Sequence, residues 1–308
     1  MRFFEGSAAS RTGPVFADAG RPGARGRAAA TFGAKRDEGR STMVDPDGTP
    51  VWFELVTPDQ DQAQVFYEAV AGWSVATSPM PEHGGYRIAS ARDGDGVAGL
   101  MARRGEMPTG WTLYFAAEDV DALAEKVRAL GGRVHAGPMD IPHVGRFAAA
   151  SDPQGVSFSI MRIAGTGAAT AFRQSMPGDL SSVGHGVWIE LATPDPEAAF
   201  DFYGRLFGWT KAGAMPMGDM GDYAFIGMGA DVRPGAVMSS ATTGAPARWN
   251  WYVQVPDIDA ALAAARDKGG DVLQGPDEIP GGAFSANVRD AQGFRIGLVG
   301  PRRQEDGR

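Results

Sequence analysis

Glu54 and Glu190 are carboxylates embedded in otherwise apolar runs, Trp52-Phe53-Glu54-Leu55 and Trp188-Ile189-Glu190-Leu191. A strand places every second side chain on one face. If Phe53 and Leu55 turn toward a core, Trp52, Glu54 and Val56 share the opposite face, as do Trp188, Glu190 and Ala192. Two later runs of the same kind contribute Thr112 and Tyr114 in one place, and Asn250, Tyr252 and Gln254 in the other. One indole, one carboxylate and one phenol around a cleft suit an organic ligand held by stacking and a few oriented hydrogen bonds. An unpaired buried carboxylate is costly and favours its neutral form, which makes Glu54 and Glu190 candidate general acids or bases, with Tyr114 and Tyr252 as nearby donors. They suit equally well a purely binding role, accepting from a cationic or hydroxylated ligand. A third alternative is packing alone, with Trp52 and Trp188 filling a cup that has no cavity.

The four histidines add less. His83 and His143 lie in Pro- and Gly-containing loops that can reach the first cleft, where with Glu54 they would form a metal site or an acid-base pair. The second copy has no histidine at the equivalent places. His185 precedes its strand and is expected in solvent or in a turn. Met80, Met215, Met217 and Met220 are expected in loops between helix and sheet, where methionine adapts to apolar neighbours.

The elements that position these residues are duplicated. Trp52 to Trp73 (WFELVTPDQDQAQVFYEAVAGW) returns as Trp188 to Trp209 (WIELATPDPEAAFDFYGRLFGW), and Trp111 to Val134 returns as Trp249 to Val272. Repetition at this scale means repeated supersecondary units. Each unit reads as an alternating strand, an acidic helix start and an amphipathic helix. Ala63, Phe66, Tyr67 and Val70 fall at helical spacing, as do Ala199, Phe202, Tyr203 and Leu206. Gly131-Gly132 suits a left-handed C-cap, and strands near residues 86–90, 96–101, 111–116, 133–136, 146–151 and 156–160 complete the first copy. Four β-α-β-β-β modules, paired into two α+β domains, follow: a disordered extension over 1–47, a first domain over 48–163, a linker over 164–182, a second domain over 183–300 and a tail over 301–308.

Composition narrows the function classes. The chain has 308 residues, a net charge of -8 and 43% hydrophobic content, enough for two domain cores. The acidic balance opposes a nucleic-acid partner, which needs clustered Lys and Arg. With no cysteine, thiolate catalysis and Cys metal sites are excluded. No apolar run reaches membrane-span length, no Walker or Rossmann glycine motif is present, and no nucleophile elbow supports hydrolase chemistry. The basic, Gly- and Ala-rich N-terminal stretch lacks the apolar segment of a secretion signal, so a cytoplasmic location is expected.

Pro58-Asp59 with Phe66-Tyr67 and Gly72-Trp73, the same set at Pro194-Asp195, Phe202-Tyr203 and Gly208-Trp209, and the turns Asp152-Pro153-Gln154-Gly155 and Asp290-Ala291-Gln292-Gly293 carry a family resemblance. The chain resembles the vicinal oxygen chelate superfamily of glyoxalases, bleomycin-resistance proteins and extradiol dioxygenases, and within it the tandem-domain actinobacterial hydroxylase-like or glyoxalase-like proteins. The resemblance implies paired modules forming a curved sheet cup. It also implies where a metal would be held: a histidine on each first strand and a glutamate on each last strand. Those positions here are Trp52, Thr112, Trp188, Asn250, Ser159 and Gly297, none an imidazole or carboxylate. The expectation is therefore no metal and no cofactor, and a small-molecule binding protein with one aromatic cup per domain. The alternative is a glyoxalase-like lyase, isomerase or hydroxylase using Glu54 or Glu190 for proton transfer. The covalently joined pair is expected to be a pseudo-twofold monomer, since a linker raises the effective concentration of its domains.

Overall fold

A computed structural model describes residues 45–165, 167–174, 179–229 and 231–302. The expected disorder over most of 1–47 and the tail beyond Arg302 fall outside these residues. Asp45 and Asp47 are within them, Asp45 accepting from Ala169 N of the linker segment at 2.8 Å and Asp47 from Glu118 N of the first domain at 2.7 Å.

The first module is β1 (Pro50–Thr57), α1 (Gln60–Ala71), β2 (Ser74–Thr77), β3 (Arg87–Ser90) and β4 (Gly96–Ala102). The second is β5 (Gly110–Ala116), α2 (Val120–Ala129), β6 (Arg133–Ile141), β7 (Gly145–Ser151) and β8 (Ser157–Ile163). The second copy repeats them as β9 (Gly186–Thr193), α3 (Pro196–Phe207), β10 (Thr210–Pro216), β11 (Asp222–Met228) and β12 (Val232–Ser239), and then, after the short α4 (Ser240–Thr243), as β13 (Arg248–Gln254), α5 (Ile258–Asp267), β14 (Asp271–Glu278), β15 (Phe284–Arg289) and β16 (Arg295–Gly300). Each pair of modules fuses into one eight-stranded mixed sheet, ordered β2-β3-β4-β1-β5-β8-β7-β6 and β10-β11-β12-β9-β13-β16-β15-β14. The first strands of the two modules lie side by side and antiparallel at the centre, Trp52 opposite Tyr114 and Trp188 opposite Tyr252. β2 and β10 escape the sequence pattern because they are mostly exposed edge strands without clean alternation. Met215 consequently lies in β10 rather than in a loop.

Local chemistry explains the helices. Asp59, Asp119, Asp195 and Asp257 cap α1, α2, α3 and α5, each side chain accepting from a backbone amide in the first turn. Gly72 and Gly208 end α1 and α3 in the left-handed region, which a Cβ disfavours. The predicted apolar stripes of α1 and α3 are buried, Tyr67 and Tyr203 almost completely.

What those stripes bury against is the other domain. The helix-bearing faces of the two sheets meet, α1 against α5 and α2 against α3, so the concave faces point outward on opposite sides. Phe53 stacks on Trp251 across this seam, ring centroids 3.9 Å apart. Tyr67 Oη donates to Asp290 Oδ2 of the other domain at 3.0 Å and accepts from Trp111 Nε1 at 3.0 Å; Tyr203, Asp152 and Trp249 repeat the arrangement at 3.2 Å and 3.2 Å. Gln292 Oε1 accepts from Asp59 N at 3.0 Å while its Nε2 donates to Asp59 O at 2.8 Å, and Gln154 grips Asp195 in the same way. The Phe-Tyr pairs and the Asp-x-Gln-Gly turns are therefore the lock between domains.

The linker is docked onto both domains. Arg173 Nη2 lies 2.8 Å from Asp93 Oδ2 and 2.7 Å from Asp95 Oδ2. His185 closes a turn, its N donating to Ser182 O at 2.9 Å, but its side chain is fully buried rather than in solvent, with Nδ1 2.7 Å from Thr170 O and Nε2 3.0 Å from Asp93 Oδ2.

Candidate functional site

Alternation along β1 places Phe53 and Leu55, both fully buried, in the core. Trp52 and Glu54 consequently face the concave side, where antiparallel pairing sets Thr112 opposite Glu54 and Tyr114 opposite Trp52. Tyr114 Oη donates to Glu54 Oε1 at 2.8 Å. Trp52 Nε1 donates to Tyr86 Oη at 2.9 Å, and Tyr86 holds down the pKa of the same carboxyl. The second cup repeats the network: Trp188 Nε1 to Tyr223 Oη at 2.8 Å, Tyr223 Oη to Glu190 Oε2 at 2.9 Å, and Tyr252 Oη to Glu190 Oε2 at 3.2 Å. Each cup is thus an indole, two phenols and one carboxylate joined by hydrogen bonds.

The electrostatics follow from depth. Burial raises the pKa of Glu54, with the Tyr114 and Tyr86 hydroxyls partly offsetting it. Burial likewise raises Glu190, opposed by Tyr223, Tyr252 and, more weakly, Arg248. The tyrosines are pushed well above their ordinary value by burial and the adjacent carboxylate, so they remain neutral donors. A buried carboxyl with a raised pKa, flanked by neutral hydroxyl donors, can move a proton or accept one hydrogen bond from a ligand. Both glutamates keep partial solvent access.

All eight residues read from the sequence therefore gather in two clusters: Trp52, Glu54, Thr112 and Tyr114 in one cup, and Trp188, Glu190, Asn250 and Tyr252 in the other. Asn250 donates to Asn287 Oδ1 at 2.9 Å, and Asn287 Nδ2 lies 3.3 Å from Tyr252 Oη. Tyr86 and Tyr223 were missed as site residues. Their signal was present, because they occupy equivalent places in the two copies. His83 and His143 do not join Glu54 by any hydrogen bond among the described residues. His83 instead rests against the turn carrying His143, its Nε2 3.4 Å from Pro142 O, so loops from opposite ends of the first sheet meet.

None of the six chelate positions offers an imidazole or carboxylate to a divalent ion, which needs three or four converging donors, and Thr112 and Ser159 offer only neutral hydroxyls. Trp52 and Trp188 present only N–H donors, and Asn250 is engaged with Asn287. At Gly297 the space belongs to Tyr252: a Cβ there would lie 2.2 Å from its ring. Outside the cups, Asp93, Asp95 and His185 converge closely enough for a metal. The guanidinium of Arg173 already supplies the positive charge there.

A family model for the Glyoxalase/Bleomycin resistance protein/Dioxygenase superfamily matches residues 49–160 and again 186–298. CFP32 of Mycobacterium tuberculosis, which carries a glyoxylase name, is 31% identical over 262 residues, covering 84% of this chain and 97% of that protein. The anthracycline biosynthesis protein DnrV of Streptomyces peucetius is 33% identical over 269 residues, covering 82% of this chain and 93% of that protein. Among solved structures, the Mn(II)-bound glyoxalase from Novosphingobium aromaticivorans superposes with a TM-score of 0.57 at 19% identity, over 84% of this chain and 83% of that one. The 2,2',3-trihydroxybiphenyl 1,2-dioxygenase of Sphingomonas wittichii gives 0.57 at 15% identity, over 84% and 91%. These structural likenesses concern the fold alone; the duplicated family match and the relatives above 30% identity establish that the chain belongs to the glyoxalase/bleomycin resistance protein/dioxygenase superfamily, as two tandem domains.

Proposed function

We propose that the chain is a small-molecule binding protein with one aromatic cup in each domain and no metal at the family's chelate positions. The observation that carries this reading is the Trp-Tyr-Glu-Tyr network, built twice where metal-dependent members place ligands. Stacking surface from the indoles and one oriented carboxyl suit a planar, hydroxylated aromatic compound. A relative named for anthracycline biosynthesis makes that class the first to test. The test is a tryptophan-fluorescence titration with a hydroxyanthraquinone on protein of known metal content, with Trp52→Phe and Trp188→Phe assigning the signal to each cup.

A second reading has its own support, namely the raised pKa of Glu54 and Glu190. In it the cups catalyse proton transfer as a lyase, isomerase or hydroxylase of glyoxalase-like type, with the glutamate as acid or base and the tyrosines as donors. Turnover that is lost in Glu54→Gln or Glu190→Gln with ligand binding retained would favour it over binding alone.

No helix among the described residues is long and apolar enough to cross a membrane. We further infer a cytoplasmic monomer without a nucleic-acid partner. The buried interdomain seam occupies the helix-bearing faces that an unlinked domain would leave uncovered, and the net charge of -8 opposes binding to a phosphate backbone.

A further inference from the structure

The two cups share a scaffold but not a lining. On the first concave face Tyr114, Ala116 and Met161 form a separate apolar cluster, joined by Phe147, Val144 and Ile163. The strand positions equivalent to Gly110 and Ser157 of that face are Arg248 and Arg295 in the second. Arg248 opens β13, two residues before Asn250 and four before Tyr252, on the face that carries Glu190 and Trp188. Arg295 opens the neighbouring strand β16, two residues before Gly297, which pairs with Tyr252.

Neither guanidinium forms an ion pair or hydrogen bond among the described residues, although both are partly buried. Arg295 also sits directly opposite Arg289, whose charge is taken up by Asp271 at 2.7 Å. Like charges facing each other across a sheet are destabilising, and here Asp271 serves Arg289 while Arg295 is left uncompensated. Glu190 is near enough to feel Arg248 but is committed to Tyr223 and Tyr252, and its burial discourages its charge. The second cup therefore carries two unpaired arginines next to its aromatic surface, where the first cup has Gly110 and Ser157.

We propose that Arg248 and Arg295 form an oxyanion subsite, so that the second cup takes an aromatic ligand bearing a carboxylate or phosphate while the first takes a neutral one. This rests on reading the cups as ligand sites. Paired arginines match such groups because their forked N–H donors meet two oxygens at once.

The experiment titrates the full chain with anthraquinone-2-carboxylate and with its uncharged carboxamide, following tryptophan quenching. The expected result is at least a tenfold preference for the carboxylate in the component lost with Trp188→Phe, competed by inorganic phosphate and weakened by salt. Arg248→Met and Arg295→Met, which keep apolar stems, should each lower carboxylate affinity about 10- to 100-fold and leave carboxamide binding unchanged. Carboxamide binding with no carboxylate preference, or a preference that follows Trp52 instead of Trp188, overturns this inference alone. Silence of both probes overturns the reading of the cups, and this inference with it.

Discussion

Tyr252 and Gly297 share one space: a Cβ on Gly297 would meet the Tyr252 ring at 2.2 Å, and Tyr252 Oη lies 3.2 Å from Glu190 Oε2. The phenol that serves the carboxylate thus stands where the family's glutamate ligand would have to grow. Gly297→Ala should destabilise the second domain by about 1–3 kcal/mol through overpacking, measured by urea unfolding. An unchanged midpoint would mean that the Tyr252 ring moves freely and does not close the ligand position.

A pH dependence follows from the two glutamates. Burial holds both carboxyls above their ordinary range in the folded protein, so the fold retains protons that the unfolded chain has already released. Their contribution is fully present below the unfolded pKa and is lost as pH rises through the folded one. Glu54→Gln and Glu190→Gln keep an oxygen for the tyrosines and remove the titration. The unfolding free energy of each variant minus that of the parent should increase from acid to neutral pH. A flat or falling difference would show that neither carboxyl is raised.

The interdomain lock makes a separate prediction. Tyr67→Phe leaves Trp111 Nε1 without its acceptor and Asp290 Oδ2 without its donor, inside a buried seam. The loss should be about 1–3 kcal/mol, and Tyr203→Phe should match it from the other side. Because each tyrosine belongs to one domain and its aspartate to the other, the two domains should still unfold in one transition in the parent. Independent melting of the halves, with Tyr67→Phe silent, would contradict the lock.

Much of this was legible in the residues. The repeat exposed two domains, and period-two alternation placed Trp52, Glu54 and Tyr114 on one face because Phe53 and Leu55 had only the core to enter. The rest depended on contacts between distant segments. Tyr86 begins the strand read from the sequence near residues 86–90, but nothing local shows that its hydroxyl reaches Trp52, although its equivalence to Tyr223 was available. His185 lost its expected exposure because the linker folds over it and Thr170 O and Asp93 bracket the ring. The seam function of Gln154 and Gln292 cannot be read locally, since each side chain caps a helix in the other domain.

The most direct measurement is elemental analysis of protein purified without chelator or nickel resin, with a hydroxyanthraquinone fluorescence titration on the same sample. The predicted result is substoichiometric metal with saturable quenching that falls in steps with Trp52→Phe and Trp188→Phe. One tightly held divalent ion per domain, required for binding and displaced by chelator with loss of the signal, would contradict it.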